Sequence, residues 1–360
     1  MAAMSDRLDL HGDVIDLLQQ LIDIESVSGN EQRITDAVED ALRRCDHLTV
    51  ERIGNVVAAR TDLGRASRVV IAGHLDTVPL AGNLPSTRTE IDGVEVITGR
   101  GSVDMKGGDA VQLSCAAALT APSRDVTWLF YDNEEVAAEL NGLRRISEER
   151  PDLLAGDFAI LGEASNAGIE AGCQGTMRIN IVTTGTAAHS ARAWRGHNAI
   201  HDAGEVLRRL STYEPRRVPI DGLEYREGLN AVRITGGIAG NVIPDRCEIE
   251  INYRFAPSRT EAEAEAHLRD VFAGFEVEVT DSSPGALPGL ATPAAQEFLA
   301  AVGGEPAPKF GWTDVARFST LGVPAVNFGP GDPSKAHADD EFTPVSDVYA
   351  CREALLRWLG

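Results

Sequence analysis

Basic side chains are scarce in this sequence: 33 Lys and Arg stand against 55 Asp and Glu, for a formal charge of −22. That deficit excludes a basic stripe for nucleic-acid phosphates and argues against docking on an anionic membrane. No apolar run approaches the roughly 18 residues that suggest a bilayer span. Cysteines number five (Cys45, Cys115, Cys173, Cys247, Cys351), scattered and without a C-x-x-C, so neither a disulfide scaffold nor a zinc ribbon fits. The G-x-S-x-G elbow is missing and no cysteine sits in an activating frame, which disfavours a covalent nucleophile. Met1-Ala2-Ala3-Met4-Ser5-Asp6-Arg7 lacks the basic and apolar segments of a secretion signal. The expectation is a reduced, cytoplasmic protein with a small-molecule partner and no nucleic acid or membrane.

At 360 residues, of which 43% are hydrophobic, the chain is long enough for two domains with ample cores. In the first half, buried-strand runs at 69–72, 126–131 and 158–161 alternate with helical patterns at 109–119 and 140–149. This is α/β patterning around a mostly parallel central sheet flanked by helices. The middle differs. Strand, helix, strand, strand, helix and strand follow at 178–184, 198–213, 231–238, 246–255, from Ser258 to about 272, and 275–280. Ser258 with Glu261 reads as a capping box for the second helix. The order β-α-β-β-α-β predicts a ferredoxin-like α+β domain inserted into the first. The expected catalytic domain covers residues 1–174 and 288–360, and the insert 175–287.

Chemistry-bearing residues follow the strands. Gly73-His74-Leu75-Asp76 succeeds the first run, Asp132-Asn133-Glu134-Glu135 the second and Gly162-Glu163 the third. In open α/β sheets, sites form beyond the carboxyl ends of strands. His74 and Asp76 are two apart, so an extended chain turns both the same way, and a carboxylate commonly orients a ligating imidazole. Gly99 to Gly108 is a glycine-rich turn, but Asp104 stands where a dinucleotide fingerprint needs its third glycine. An acidic side chain there repels pyrophosphate and suits a cation. Glu134 and Glu135 cannot point alike in an extended chain; one can ligate while its neighbour faces substrate as a base. His337 lies in the turn-rich loop after 323–328, and His189 follows the first strand of the insert. Two histidines and several carboxylates at strand ends point to a hydrolytic zinc site.

Those segments, together with Glu170 to Thr176, Gly240 to Asp245, Gly311 to Val315 and Tyr253 to Pro257, resemble the two-zinc aminoacylase and carboxypeptidase family with an inserted dimerisation lid. The resemblance spans nearly the whole chain. It implies two Zn2+ ions, replaceable by Co2+ or Mn2+, bridged by Asp104. His74 and Glu163 would complete one ion's protein ligands, Glu135 and His337 the other's. Asp76 would orient His74. Glu134 would be the general base, removing a proton from a water shared by the ions so that hydroxide attacks an amide. His189 is implied as an oxyanion donor reaching the partner subunit of a homodimer, with Asn241, Arg254 and Thr313 as substrate-binding residues. Another deacylase of the family, or a non-catalytic metal-binding dimer, stays open at this point, and a nucleotide-dependent oxidoreductase is disfavoured by Asp104.

Overall fold

The computed structural model describes residues 6–360; Met1 to Ser5, on which the leaderless reading of the N-terminus and the first positions of the expected catalytic domain partly rest, lie outside. The chain divides into two compact units. One comprises the chain up to Ala171, Pro288–Ala307 and Arg317–Gly360; the other comprises Gly172–Leu287 and Pro308–Ala316.

The first unit is built on an eight-stranded sheet. Its centre is four parallel strands in the order Asp125–Tyr131, Arg68–His74, Phe158–Leu161 and Ala325–Asn327. All but the first residue of the second strand are buried, as a sheet covered on both faces requires. The borders are antiparallel: Thr49–Ile53 and Val56–Arg60 form a hairpin through Gly54-Asn55, and Glu170–Ala171 flanks the other side. The sheet is therefore mixed, with its parallel character confined to the middle.

Helix Lys106–Ala118 is buried over nearly its whole length, and its small residues are the reason it fits. A Cβ on Gly108 would lie 2.0 Å from the Gly162 carbonyl oxygen, and one on Gly329 would lie 2.1 Å from the same atom. Three segments thus close on one strand end, at a distance only glycine permits. Farther off, Phe298 packs on Phe158, Phe328 and Trp358 with ring centroids 6.0, 5.1 and 4.8 Å away. Aromatic edges and faces at such spacing add to the area they bury.

The second unit has the succession β-α-β-β-α-β in Gly175–Thr184, Ala199–Ser211, Gly228–Gly236, Arg246–Phe255, Glu261–Val271 and Val277–Ser283. All three strand pairs of its four-stranded sheet are antiparallel. On Arg246–Phe255 the side chains alternate as expected: Cys247, Ile249, Ile251, Tyr253 and Phe255 are buried under Ala203, Val206, Ala264 and Leu268 of the two helices. The opposite face keeps Asn252, Arg254 and Arg178. Two details differ from the sequence reading. The capping box is Thr260 with Glu263, two residues later than Ser258 and Glu261, since Thr260 accepts from the Glu263 amide while Glu263 returns to the Thr260 amide. An additional hairpin, Arg217–Ile220 with Leu223–Arg226, was not legible, because only Leu223 and Tyr225 of it are buried.

The glycine contacts give opposite expectations for one substitution. Gly108→Ala should lower stability by roughly 1–3 kcal/mol or more, since neither carbonyl nor helix can yield. Gly204→Ala, in helix Ala199–Ser211 with nothing within 4 Å of the new methyl, should be neutral or stabilising by up to about 1 kcal/mol. Thermal melts of the two variants check this; a Gly108→Ala protein melting with the parent would refute the close approach.

Candidate metal and hydrolytic site

The parallel strand Arg68–His74 ends on His74, whose ring is fully buried. Its Nδ1 lies 3.0 Å from the Asp76 carbonyl oxygen and 3.5 Å from Asp76 Oδ1. Those oxygens only accept, so Nδ1 carries a proton; loss of the second proton would leave the lone pair on Nε2. Nε2 faces Asp104 Oδ1 at 3.0 Å and Glu163 Oε1 at 3.9 Å. On the far oxygen of Asp104, Oδ2, His337 Nε2 approaches to 3.3 Å, and the same nitrogen is 3.0 Å from Glu135 Oε1. A run of donors therefore reads Glu163, His74, Asp104, His337, Glu135, with Asp104 at its centre. His74, Asp104 and Glu135 each offer a ligand atom within 4.8 Å of the others.

Lone pairs of imidazole and carboxylate repel unless something positive lies between them. Here protons play that part. Burial opposes charge on His74, but Asp104 and Asp76 outweigh it and hold its pKa well above the ordinary value. Asp104 and Glu135 push His337 up to about 10. Burial works against the Asp104 carboxylate, yet the two imidazoles bring its pKa down. Divalent cations would take the place of these protons, and the donor set, imidazole nitrogen with carboxylate oxygen, is the one zinc uses.

The scaffold around the donors is as ordered as the donors. Asp76 is fully buried, and its Oδ1 and Oδ2 accept the backbone N–H groups of Glu134 at 3.0 Å and Glu135 at 3.1 Å; Ser28 Oγ donates to Oδ2 at 2.7 Å. Burial would raise its pKa, but His74 and these donors keep it below the usual carboxylate range. One carboxylate thus orients the imidazole and also fixes the turn that presents both glutamates. That turn is not the extended chain expected from the sequence: Asn133 has φ 58°, and Glu134 and Glu135 send their amides the same way. Glu134 itself is half-buried.

Two contributors were missed in the sequence. Ser28 has no pattern to betray it. Glu341 sits in the acidic run Asp339-Asp340-Glu341, which reads as solvated charge, yet its side chain is buried against Arg100 at 2.9 Å. It accepts the amides of Val103 at 2.8 Å and Asp104 at 3.2 Å, gathering the glycine-rich turn beneath the central carboxylate.

The remaining expected residues belong to the second unit. His189 is exposed and heads the short 3-10 segment Ser190–Arg195, where its Nδ1 accepts from the Ala191 amide at 3.0 Å. In the neutral ring this leaves the proton on Nε2, a hydrogen-bond donor open to solvent. Asn241 is brought beside it, with its carbonyl accepting the Ser190 amide at 2.9 Å and Val242 pairing with His189. Arg254 is half-buried; burial and the neighbouring Arg178 lower its pKa. Thr313 is buried, its carbonyl facing the Cys173 thiol at 3.7 Å. In the first unit, Lys335 is engaged by Asp340 at 2.8 Å.

Over 98% of the chain and 99% of the relative, the sequence is 55% identical to a protein of Mycobacterium tuberculosis assigned as a succinyl-diaminopimelate desuccinylase, DapE. It is 48% identical, over 98% of both chains, to the succinyl-diaminopimelate desuccinylase of Corynebacterium glutamicum. In fold it is similar to a tripeptidase from Staphylococcus aureus, with a TM-score of 0.78 at 22% identity over 96% of both chains. No helix among the described residues is long and apolar enough to cross a membrane. Residues 70–360, which include His74, Asp104, Glu135, Glu163 and His337, match the model of peptidase family M20/M25/M40, and the chain belongs to that family of metal-dependent hydrolases.

Proposed function

We propose that this enzyme hydrolyses N-succinyl-L,L-2,6-diaminopimelate to succinate and L,L-diaminopimelate, a step toward lysine and cell-wall precursors. The observation that carries the reading is full-length identity of about half to two desuccinylases, on a chain with an unbroken run of imidazole and carboxylate donors. His74 and Glu163 would hold one zinc ion and Glu135 and His337 a second, with Asp104, which faces both imidazoles, serving both. When bound, such a pair of cations polarises the amide carbonyl and brings the pKa of water from 15.7 toward about 7. The Glu134 carboxylate accepts the proton of the attacking water. As the carbon–nitrogen bond breaks, it delivers that proton to the departing amine. Asp76 fixes where Glu134 stands, because it holds the amide of that residue.

His189 supplies Nε2–H to the carbonyl oxygen as negative charge develops there, acting across a homodimer; one preorganised donor of this kind is worth about 3 kcal/mol. Asn241, Arg254 and Thr313 hold carboxylate and carbonyl oxygens of the substrate. The second unit serves as lid and dimerisation domain. Among the described residues its strand Gly228–Gly236 pairs on one side only, with Arg246–Phe255, and leaves Val232 57% and Ile234 48% exposed. An open edge bearing apolar side chains is a template for a second chain.

Purified, zinc-loaded protein should release succinate from N-succinyl-L,L-diaminopimelate with kcat/KM well above that for N-acetylornithine. Preference for the acetyl substrate would assign a different deacylase of the family. Glu134→Gln should lose about 10²- to 10⁴-fold in kcat with zinc content unchanged; full activity would remove Glu134 as the base. In sedimentation velocity at micromolar concentration the parent should run as a dimer, and Val232→Lys with Ile234→Lys should shift it toward monomer. A monomeric parent would exclude His189 from the partner's site.

A further inference from the structure

A substrate rich in carboxylates needs positive charge, and this protein has little to spare. Across the chain, acids are frequent enough that a stretch of 31 residues holds about five, yet residues 171–201 contain none. That stretch carries Arg178, Arg192 and Arg195 with His189. Within that stretch Arg178 is paired with Asp281, and arginines elsewhere in the second unit are mostly neutralised: Arg208 and Arg209 by Glu205, Arg216 by Glu227, Arg233 by Glu250 and Arg246 by Glu248. Among the described residues no carboxylate lies within ion-pairing distance of Arg192 or Arg195, and neither makes a side-chain hydrogen bond. Unpaired guanidinium groups in a chain of charge −22 are kept from nearby acids by the sequence itself.

Their setting is an ordered loop. Thr186 and His197 close its base with two backbone hydrogen bonds, at 2.8 and 3.0 Å. Gly196 permits that closure, since a Cβ there would meet the Thr186 carbonyl at 2.8 Å and Ala188 Cβ at 2.9 Å. Compact surface loops with joined ends are often functional. No residue of Ser190–Arg195 is buried, and Trp194 is 80% exposed. Residues three apart in a 3-10 turn lie above one another. His189, Arg192 and Arg195 share that spacing in sequence, but the extended His189 and the kink at Arg192 (φ −131°, ψ 45°) break the stack, leaving the three in order along one short exposed segment.

We propose that Arg192 and Arg195 form a carboxylate-capturing arm that selects an acyl group ending in an anion. The inference rests on the functional reading above, which places the donor of His189 at the scissile carbonyl. From there the arm follows the acyl chain outward, and the two guanidinium groups take its terminal carboxylate, with Trp194 as an apolar flank for the methylenes. Guanidinium is the group suited to this, because its planar fork matches a carboxylate with paired hydrogen bonds. The two residues are specificity-determining and take no part in proton transfer.

The test compares N-succinyl-L,L-diaminopimelate with its N-butyryl analogue, which replaces the terminal carboxylate by a methyl group, on the zinc-loaded dimer. The parent should prefer the succinyl amide. Arg192→Gln with Arg195→Gln should erase about 10-fold or more of that preference through KM, with kcat, zinc content and melting temperature close to the parent's. Replacement of both by Lys should restore part of it. A parent that prefers succinyl, beside a double variant with the same preference, overturns the arm alone. A parent that cleaves neither amide overturns the desuccinylase reading and the arm with it.

Discussion

One buried negative charge organises the site. Asp76 stands just beyond a parallel strand, out of contact with water, where an uncompensated carboxylate would be costly. It is stable there because its oxygens are shared among the His74 ring, the Ser28 hydroxyl and the amides of Glu134 and Glu135. The compensation is also the function. Whatever satisfies Asp76 fixes the His74 imidazole, a proposed ligand, and aims a proposed base and a second proposed ligand from a different strand. A carboxylate that must be satisfied from two strands at once links their ends more tightly than packing alone would.

The other half of the convergence is steric. Gly162 carries no side chain, and its carbonyl is met at close range by Gly108 and Gly329. These contacts bring the Asp104 turn, the Glu163 strand end and the loop before His337 to one place. Under the turn, the buried pair Arg100 with Glu341 collects the backbone amides of Val103 and Asp104. Removing either partner would leave a buried charge unpaired, at a cost of about 3–5 kcal/mol. Charge compensation, glycine contacts and a buried ion pair therefore act on the same few atoms.

His74, Glu135, Glu163 and His337 stood out in the sequence because they follow apolar runs, and strand ends are where open α/β sheets keep their chemistry; Asp104 stood out by the glycine-rich turn around it. His74, Asp104, Glu135, Glu163 and His337 all come together within the first unit. The strand 158–161 and the strand 246–255 were readable to the residue, the first from its unbroken apolar run and the second from its alternation. What was not legible depends on tertiary burial. Glu341 has the local context of a surface acid, and nothing near Ser28 hints at its partner 48 positions on. The Glu134 turn looked extended because a positive φ at Asn133 has no pattern in hydrophobicity. The Arg192 and Arg195 loop escaped notice since single arginines carry no motif; only the absence of acids around them marks it.

The central claim is that Asp104 is shared by two cations. Anomalous scattering from crystals of the zinc-loaded protein measures this directly. Two peaks are expected, one on each side of the Asp104 carboxylate, the first contacting His74 and Glu163 and the second Glu135 and His337. A single peak, or peaks that leave Asp104 without a metal contact, would contradict it.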